Sequence, residues 1–133
     1  MYTVMFIGHR YISHQNYVYK RIKETVYGLL GVYGSLEILI GNDGDFDTLA
    51  ASAVQKIKKE TEKDINLILV LPYTKKDIEY FEKYYDEVEI CAESSTAHFK
   101  AAIGIRNKCT VDRSDTIIMV MVSRNISVST QNL

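Results

Sequence analysis

Proline occurs once and cysteine twice in 133 residues. The lone Pro72 leaves no proline-rich linker, and its place after an apolar run marks a turn instead of interrupting an element. Cys91 and Cys109 make neither a disulfide framework nor a zinc spacing; they fit a reducing, cytoplasmic setting as two small buried hydrophobes. Long apolar runs are lacking as well. Ile117 to Val122 is among the longest, far short of the ~20 residues needed to cross a bilayer, so no membrane partner is expected. No charge of one sign dominates: the net charge is −1, too little to hold duplex nucleic acid by counterion release. The opening Met1-Tyr2-Thr3-Val4-Met5-Phe6-Ile7 has no basic n-region and no small-residue cleavage site, and predicts a first strand instead of a signal peptide.

What is present, 47% hydrophobic and 25% charged residues, is close to the average of globular chains. The length suits one domain, since domains most often run to about 100–150 residues. Short β-branched runs alternate with longer segments of helical spacing, the pattern of β/α units around a parallel sheet. The expected strands are 2–7, 35–40, 65–71, 87–91 and 115–122, and the expected helices 15–31, 45–62, 75–85 and 98–112. The second helix is the clearest, with Phe46, Leu49, Ala50, Ala53, Val54 and Ile57 on one stripe. The fold expected is therefore α/β: an open, mainly parallel five-stranded sheet with helices on both faces. It spans 1–122, followed by an irregular polar tail over 123–133 that lacks periodicity, glycine and acidic groups.

In such a sheet ligands bind beyond the carboxyl ends of the strands, where loops lead into helix N-termini. The first of these loops is Gly8-His9-Arg10, in which a glycine admits close backbone approach and an arginine fork matches phosphate oxygens. The second is Gly41-Asn42-Asp43-Gly44-Asp45-Phe46-Asp47-Thr48. Its glycines permit positive φ, Asp45 is a candidate helix cap and Asp47 a candidate partner for ribose hydroxyls. The loop has neither the G-x-G-x-x-G fingerprint nor the Gly-Lys-Ser/Thr ending of a P-loop. The residue order of a calcium loop is missing too. A third group, Arg106-Asn107 with Asp112 and Ser114-Asp115, belongs to the last helix and its exit. Arg106 falls on a stripe with Phe99, Ala102, Ile103 and Cys109, so it meets a ligand, snorkels to the rim, or pairs with Asp112 or Asp115. The histidines His9, His14 and His98 have no ligand spacing with a carboxylate or thiol, and no metal or other cofactor is expected. No G-x-S-x-G elbow is present.

Four segments in order resemble the SLOG superfamily, and more narrowly its small bacterial branch with a GHR-type opening. They are Thr3-Val4-Met5-Phe6-Ile7-Gly8-His9-Arg10, Ile40-Gly41-x-x-Gly44-x-x-Asp47-Thr48-x-Ala50, Leu67-Ile68-Leu69-Val70-Leu71-Pro72-Tyr73 and Ile105-Arg106-Asn107-x-x-x-Val111-Asp112-x-Ser114-Asp115. The resemblance covers about residues 3–122. It implies a Rossmann-like fold that binds nucleotides or nucleotide-derived ligands at the strand exits. By it Gly8, Arg10, Gly41, Gly44, Asp47, Thr48, Arg106, Asn107 and Asp115 fall at or near the pocket, with His9 and Asn42 in the same loops. Two departures stand out. The second loop is more acidic than the family's usual Gly-Ala, and the glycine-rich Gly-Gly-Thr loop that usually follows the strand at 115–122 is replaced by Ser123-Arg124-Asn125-Ile126. The fold is thus read as C-terminally shortened.

The function expected on this basis is a binding module, in the manner of a sensor, for a nucleotide or nucleotide-derived ligand. The alternatives are N-glycosidic hydrolysis of a nucleoside monophosphate, as in phosphoribohydrolase relatives whose Pro-Gly-Gly-x-Gly-Thr-x-x-Glu element this chain lacks, and a non-catalytic protein-interaction role. A last strand with nothing after it would leave Ile117, Met119 and Met121 or their alternates exposed, which predicts a homodimer in which that edge or the helix at 98–112 is covered by a partner chain.

Overall fold

The computed structural model describes residues 1–120 and 126–131. β1 (Tyr2–Ile7), β2 (Ser35–Ile40), β3 (Asp64–Leu71), β4 (Glu87–Ile90) and β5 (Thr116–Val120) run parallel. A sixth strand, β6 (Ile126–Thr130), joins β5 antiparallel, and the order across the sheet is β4-β3-β2-β1-β5-β6. The helices are α1 (Gln15–Tyr33), α2 (Asp45–Glu60), α3 (Ile78–Tyr84), the single turn α4 (Ala92–Ser95) and α5 (Phe99–Asp112). The architecture is the expected α/β one, a Rossmann-like open and mostly parallel sheet flanked by helices, but with six strands instead of five.

The strands alternate cleanly between the two sheet faces. Val4 and Phe6 of β1, Leu36, Ile38 and Ile40 of β2, and Leu67 and Leu69 of β3 share one core with Val18, Ile22 and Val26 of α1 and Ala50, Val54 and Ile57 of α2. Phe81 of α3 and Tyr85 just after it close the same layer. α1 runs through Gly28 and Gly31 and ends at Gly34, which takes φ 80 and donates its N–H to the Leu30 carbonyl at 2.9 Å. The opposite face, under α4 and α5, is thinner: Leu39, Ile68, Val70 and Cys91, with Cys109 against them.

The sixth strand corrects two expectations. The segment after 122 is not wholly irregular, since Ile126 to Thr130 is rich in β-branched residues and pairs in register from Thr116↔Thr130 to Val120↔Ile126. Its end is fastened: the Gln131 side-chain amide donates to the Val111 carbonyl at 2.6 Å and the Ser114 carbonyl at 3.0 Å. β5 is consequently not an open edge, and Ile117 is only 7% exposed, which removes the argument made above for a homodimer through β5. Met121 and Ser123 to Asn125 lie outside the described residues.

Candidate functional site

The strand order turns at β1, with β2, β3 and β4 on one side of it and β5 on the other. A crevice beyond the carboxyl ends is expected where the order reverses. A cleft of about 140 Å³ lies there. Its walls are the β1 exit Gly8-His9-Arg10, the β2 exit through Gly41, Asp43 and Gly44, Asp47 in the first turn of α2, and Ile103, Arg106, Asn107 and Thr110 of α5.

Glycine is required in these loops for space, not for φ. A Cβ on Gly8 would sit 2.4 Å from ring carbons of Phe46, and one on Gly44 would sit 2.5 Å from the Arg10 Cα and 2.7 Å from its carbonyl oxygen. Gly44 itself is extended, at φ 171, so the positive φ expected of the loop glycines is not what they supply. The close approach lets the loops lock together. The Asp45 N–H donates to the Arg10 carbonyl at 2.6 Å, and the Ile12 N–H donates to the Asp45 carboxylate at 3.1 Å. Asp45 is therefore a loop tie and not the cap of α2.

Arg106 is the structural centre of the cleft. Its side chain is 2% exposed, and every donor nitrogen is used: Nη1 to the Val70 carbonyl at 2.9 Å, Nε to the Asn107 side-chain oxygen at 2.8 Å, and Nη2 to the Asp43 carboxylate. The expected partners Asp112 and Asp115 are not the ones it finds. Nor does the stripe read from the sequence hold as drawn, because Phe99 is 64% exposed; the buried positions of α5 are Ala102, Arg106 and Thr110, one turn apart each. Three of the five N–H groups of Arg106, one on each nitrogen, are thus taken by protein acceptors. It organises the cleft more than it offers a free fork to a ligand.

Asp47 is buried beside this pair, and its carboxylate accepts the Asp43 N–H at 2.9 Å. Burial pushes its carboxyl up to about 6; the Asp43 N–H and the Arg106 charge pull it down, and the Asp43 carboxylate pushes it further up. Arg10 and His9 line the cleft from exposed positions, and among the described residues no carboxylate pairs with Arg10. The cleft therefore has a carboxylate-bearing floor and a cationic lip, the latter strongest at Arg10.

Eight of the residues picked from the sequence meet here: Gly8, His9, Arg10, Gly41, Gly44, Asp47, Arg106 and Asn107. Three do not. Asn42 and Thr48 open on another cavity, between α2 and the α3 aromatics Tyr80, Phe81 and Tyr84. Asp115 lies at the opposite edge of the sheet, where its carboxylate accepts the Thr3 N–H at 2.8 Å and its own N–H donates to the Thr3 carbonyl. It precedes β5, at the amino ends of the strands, and no described residue of β5 lines the cleft. Asp43 and Thr110 were missed by the sequence reading. The Thr110 hydroxyl donates to the Arg106 carbonyl at 2.7 Å and fixes that turn of α5; its i, i+4 spacing from Arg106 was the available signal. Compared with family models, curated proteins and solved structures, the chain matches none.

Proposed function

We propose that the cleft binds a nucleotide or nucleotide-derived ligand by its sugar-phosphate portion, and that the protein acts as a binding module. The observation that carries this reading is that one cleft holds an exposed Arg10, without a carboxylate partner among the described residues, across from the half-buried Asp43 and buried Asp47 carboxylates. An arginine fork suits phosphate oxygens, and carboxylates accept hydrogen bonds from sugar hydroxyls. The N-terminus of α2 contributes less than helix N-termini usually do to phosphate binding, because Asp45 and Asp47 already offset its dipole and the Asp45 N–H is taken by Arg10. At about 140 Å³ the cleft is smaller than the ~300–1,000 Å³ typical of whole-ligand sites, so a base would rest at its mouth.

A thermal-shift screen over AMP, ATP, NAD, ADP-ribose and cyclic nucleotides tests this. A true ligand at 100 times its Kd adds about 2.7 kcal/mol, a shift of several degrees, and Arg10→Ala weakens it by about 1.5–3 kcal/mol. A flat screen defeats the reading. The second reading, N-glycosidic hydrolysis, draws on the buried Asp47 carboxyl in the cleft wall, which burial pushes up to about 6 and which can then deliver a proton to a leaving base. Free adenine released from AMP, and lost in Asp47→Asn, would move the conclusion to that reaction.

A further inference from the structure

We propose that Cys91, Glu93 and Cys109 form a binding site for a thiophilic divalent cation, zinc(II) foremost, separate from the cleft at the turn of the strand order. The sequence gives no metal spacing, but the fold brings the two Sγ atoms and a Glu93 carboxylate oxygen within 4.8 Å of one another. Cys91 ends the strand region after β4 and starts α4, Glu93 is in the first turn of α4, and Cys109 reaches in from α5. The donors are held by the backbone around them. The Cys91 N–H donates to the Leu71 carbonyl at 2.9 Å, the Ser95 N–H donates to the Cys91 carbonyl at 3.0 Å, and the buried Ser94 hydroxyl anchors α4 to the Pro72 carbonyl at 2.6 Å.

Two thiolates and a carboxylate are a donor set that zinc accepts, with bonds of about 2.3 Å to sulfur and about 2.0–2.2 Å to oxygen. Tetrahedral bonds of that length place neighbouring sulfurs about 3.8 Å apart, so closure needs movement on the order of 1 Å. The Cys91 Sγ already lies 3.4 Å from the Glu93 carboxylate. A cavity of about 240 Å³ adjoins the donors and leaves the fourth position to water or an outside ligand. Arg113, on the cavity wall, partly balances the excess negative charge of three anionic donors, although it also pairs with Glu89 at 2.7 Å. Without a cation the Cys109 thiol is pushed up to about 11, first by desolvation and then by the neighbouring Cys91 and Glu93. Cation binding must therefore displace thiol protons.

Titration of the full, reduced chain with zinc(II) tests the site, followed by cobalt(II) as a spectroscopic substitute. The expected result is one cation per chain, proton release on binding, and a thiolate-to-cobalt charge-transfer band in the near ultraviolet. Cys109→Ser and Glu93→Gln should each weaken zinc(II) by at least the roughly 10–100-fold that even outer-shell changes cost. Both positions are outside the main core, so the cation-free variants should unfold at the same midpoint as the parent. Binding below one equivalent, no charge-transfer band, or unchanged affinity in either variant overturns the proposal. The nucleotide reading of the other cleft is untouched by any of these outcomes.

Discussion

The two faces of the sheet are built on different principles. The face under α1, α2 and α3 is dry and apolar, with Ile38, Leu67, Val54 and Ile57 all fully buried. The face under α5 holds only a small apolar patch and relies on charge. Arg106 is buried against Asp43, and nearer the amino ends of the strands the Thr3 hydroxyl donates to Glu37 at 3.1 Å while Arg113 bridges Glu37 and Glu89. Burying apolar area stabilises without directional demands. A buried ion pair contributes little net stability but holds polar groups in one geometry, and removing one partner leaves the other uncompensated. The candidate cleft lies at the rim of the polar face.

If this contrast is right, the largest single loss comes from the polar face. Arg106→Met should cost about 3–5 kcal/mol in urea unfolding, because it strands the Val70 carbonyl and leaves Asp43 and Asp47 repelling one another. Adding Asp43→Asn should recover part of it, and strict additivity would contradict the pairing. On the apolar face Leu67→Ala should cost about 2–5 kcal/mol through a cavity, with no dependence on pH.

Asp47→Asn should act in the opposite direction. The folded state holds its proton to about 6, against 3.8 when unfolded, so the folded chain binds more protons in that window and stability falls as pH rises through it. Above pH 6 the ionised group costs up to about 3 kcal/mol. The asparagine variant should be more stable than the parent at pH 7–8 and show a flatter profile between pH 4 and 6; a parallel profile would mean that Asp47 is not a buried carboxylate. Gly44→Ala should lose about 1–3 kcal/mol, since its methyl group meets Arg10 backbone atoms that cannot swing away. The smallest effect belongs to Glu37→Gln, under about 1 kcal/mol and erased by salt, because its Arg113 partner is largely solvated.

Much of the fold was legible in the apolar periodicity. Ile65 to Leu71 reads as a strand covered on both faces and becomes β3, and the stripe of Phe46, Ala50, Ala53, Val54 and Ile57 is the buried side of α2. The expected helix over 98–112 begins at Phe99, and a separate turn precedes it at Ala92–Ser95. β6 was not legible by hydrophobicity, since an edge strand needs no apolar face; Val128 is 48% exposed. The β-branched Ile126, Val128 and Thr130 carried the only local signal.

The site divides the same way. Local sequence placed the glycine-bearing loops after β1 and β2 at strand exits, and those loops do meet. Only the tertiary structure decided the partners. Arg106 takes Asp43 from 63 positions away in place of its near neighbours, Asp115 goes to the far edge of the sheet, and Cys91 meets Glu93 and Cys109. The reason is that hydrophobic periodicity constrains which way a side chain faces, whereas pairing between polar groups depends on which strands are neighbours, a non-local property that short-range spacing does not encode.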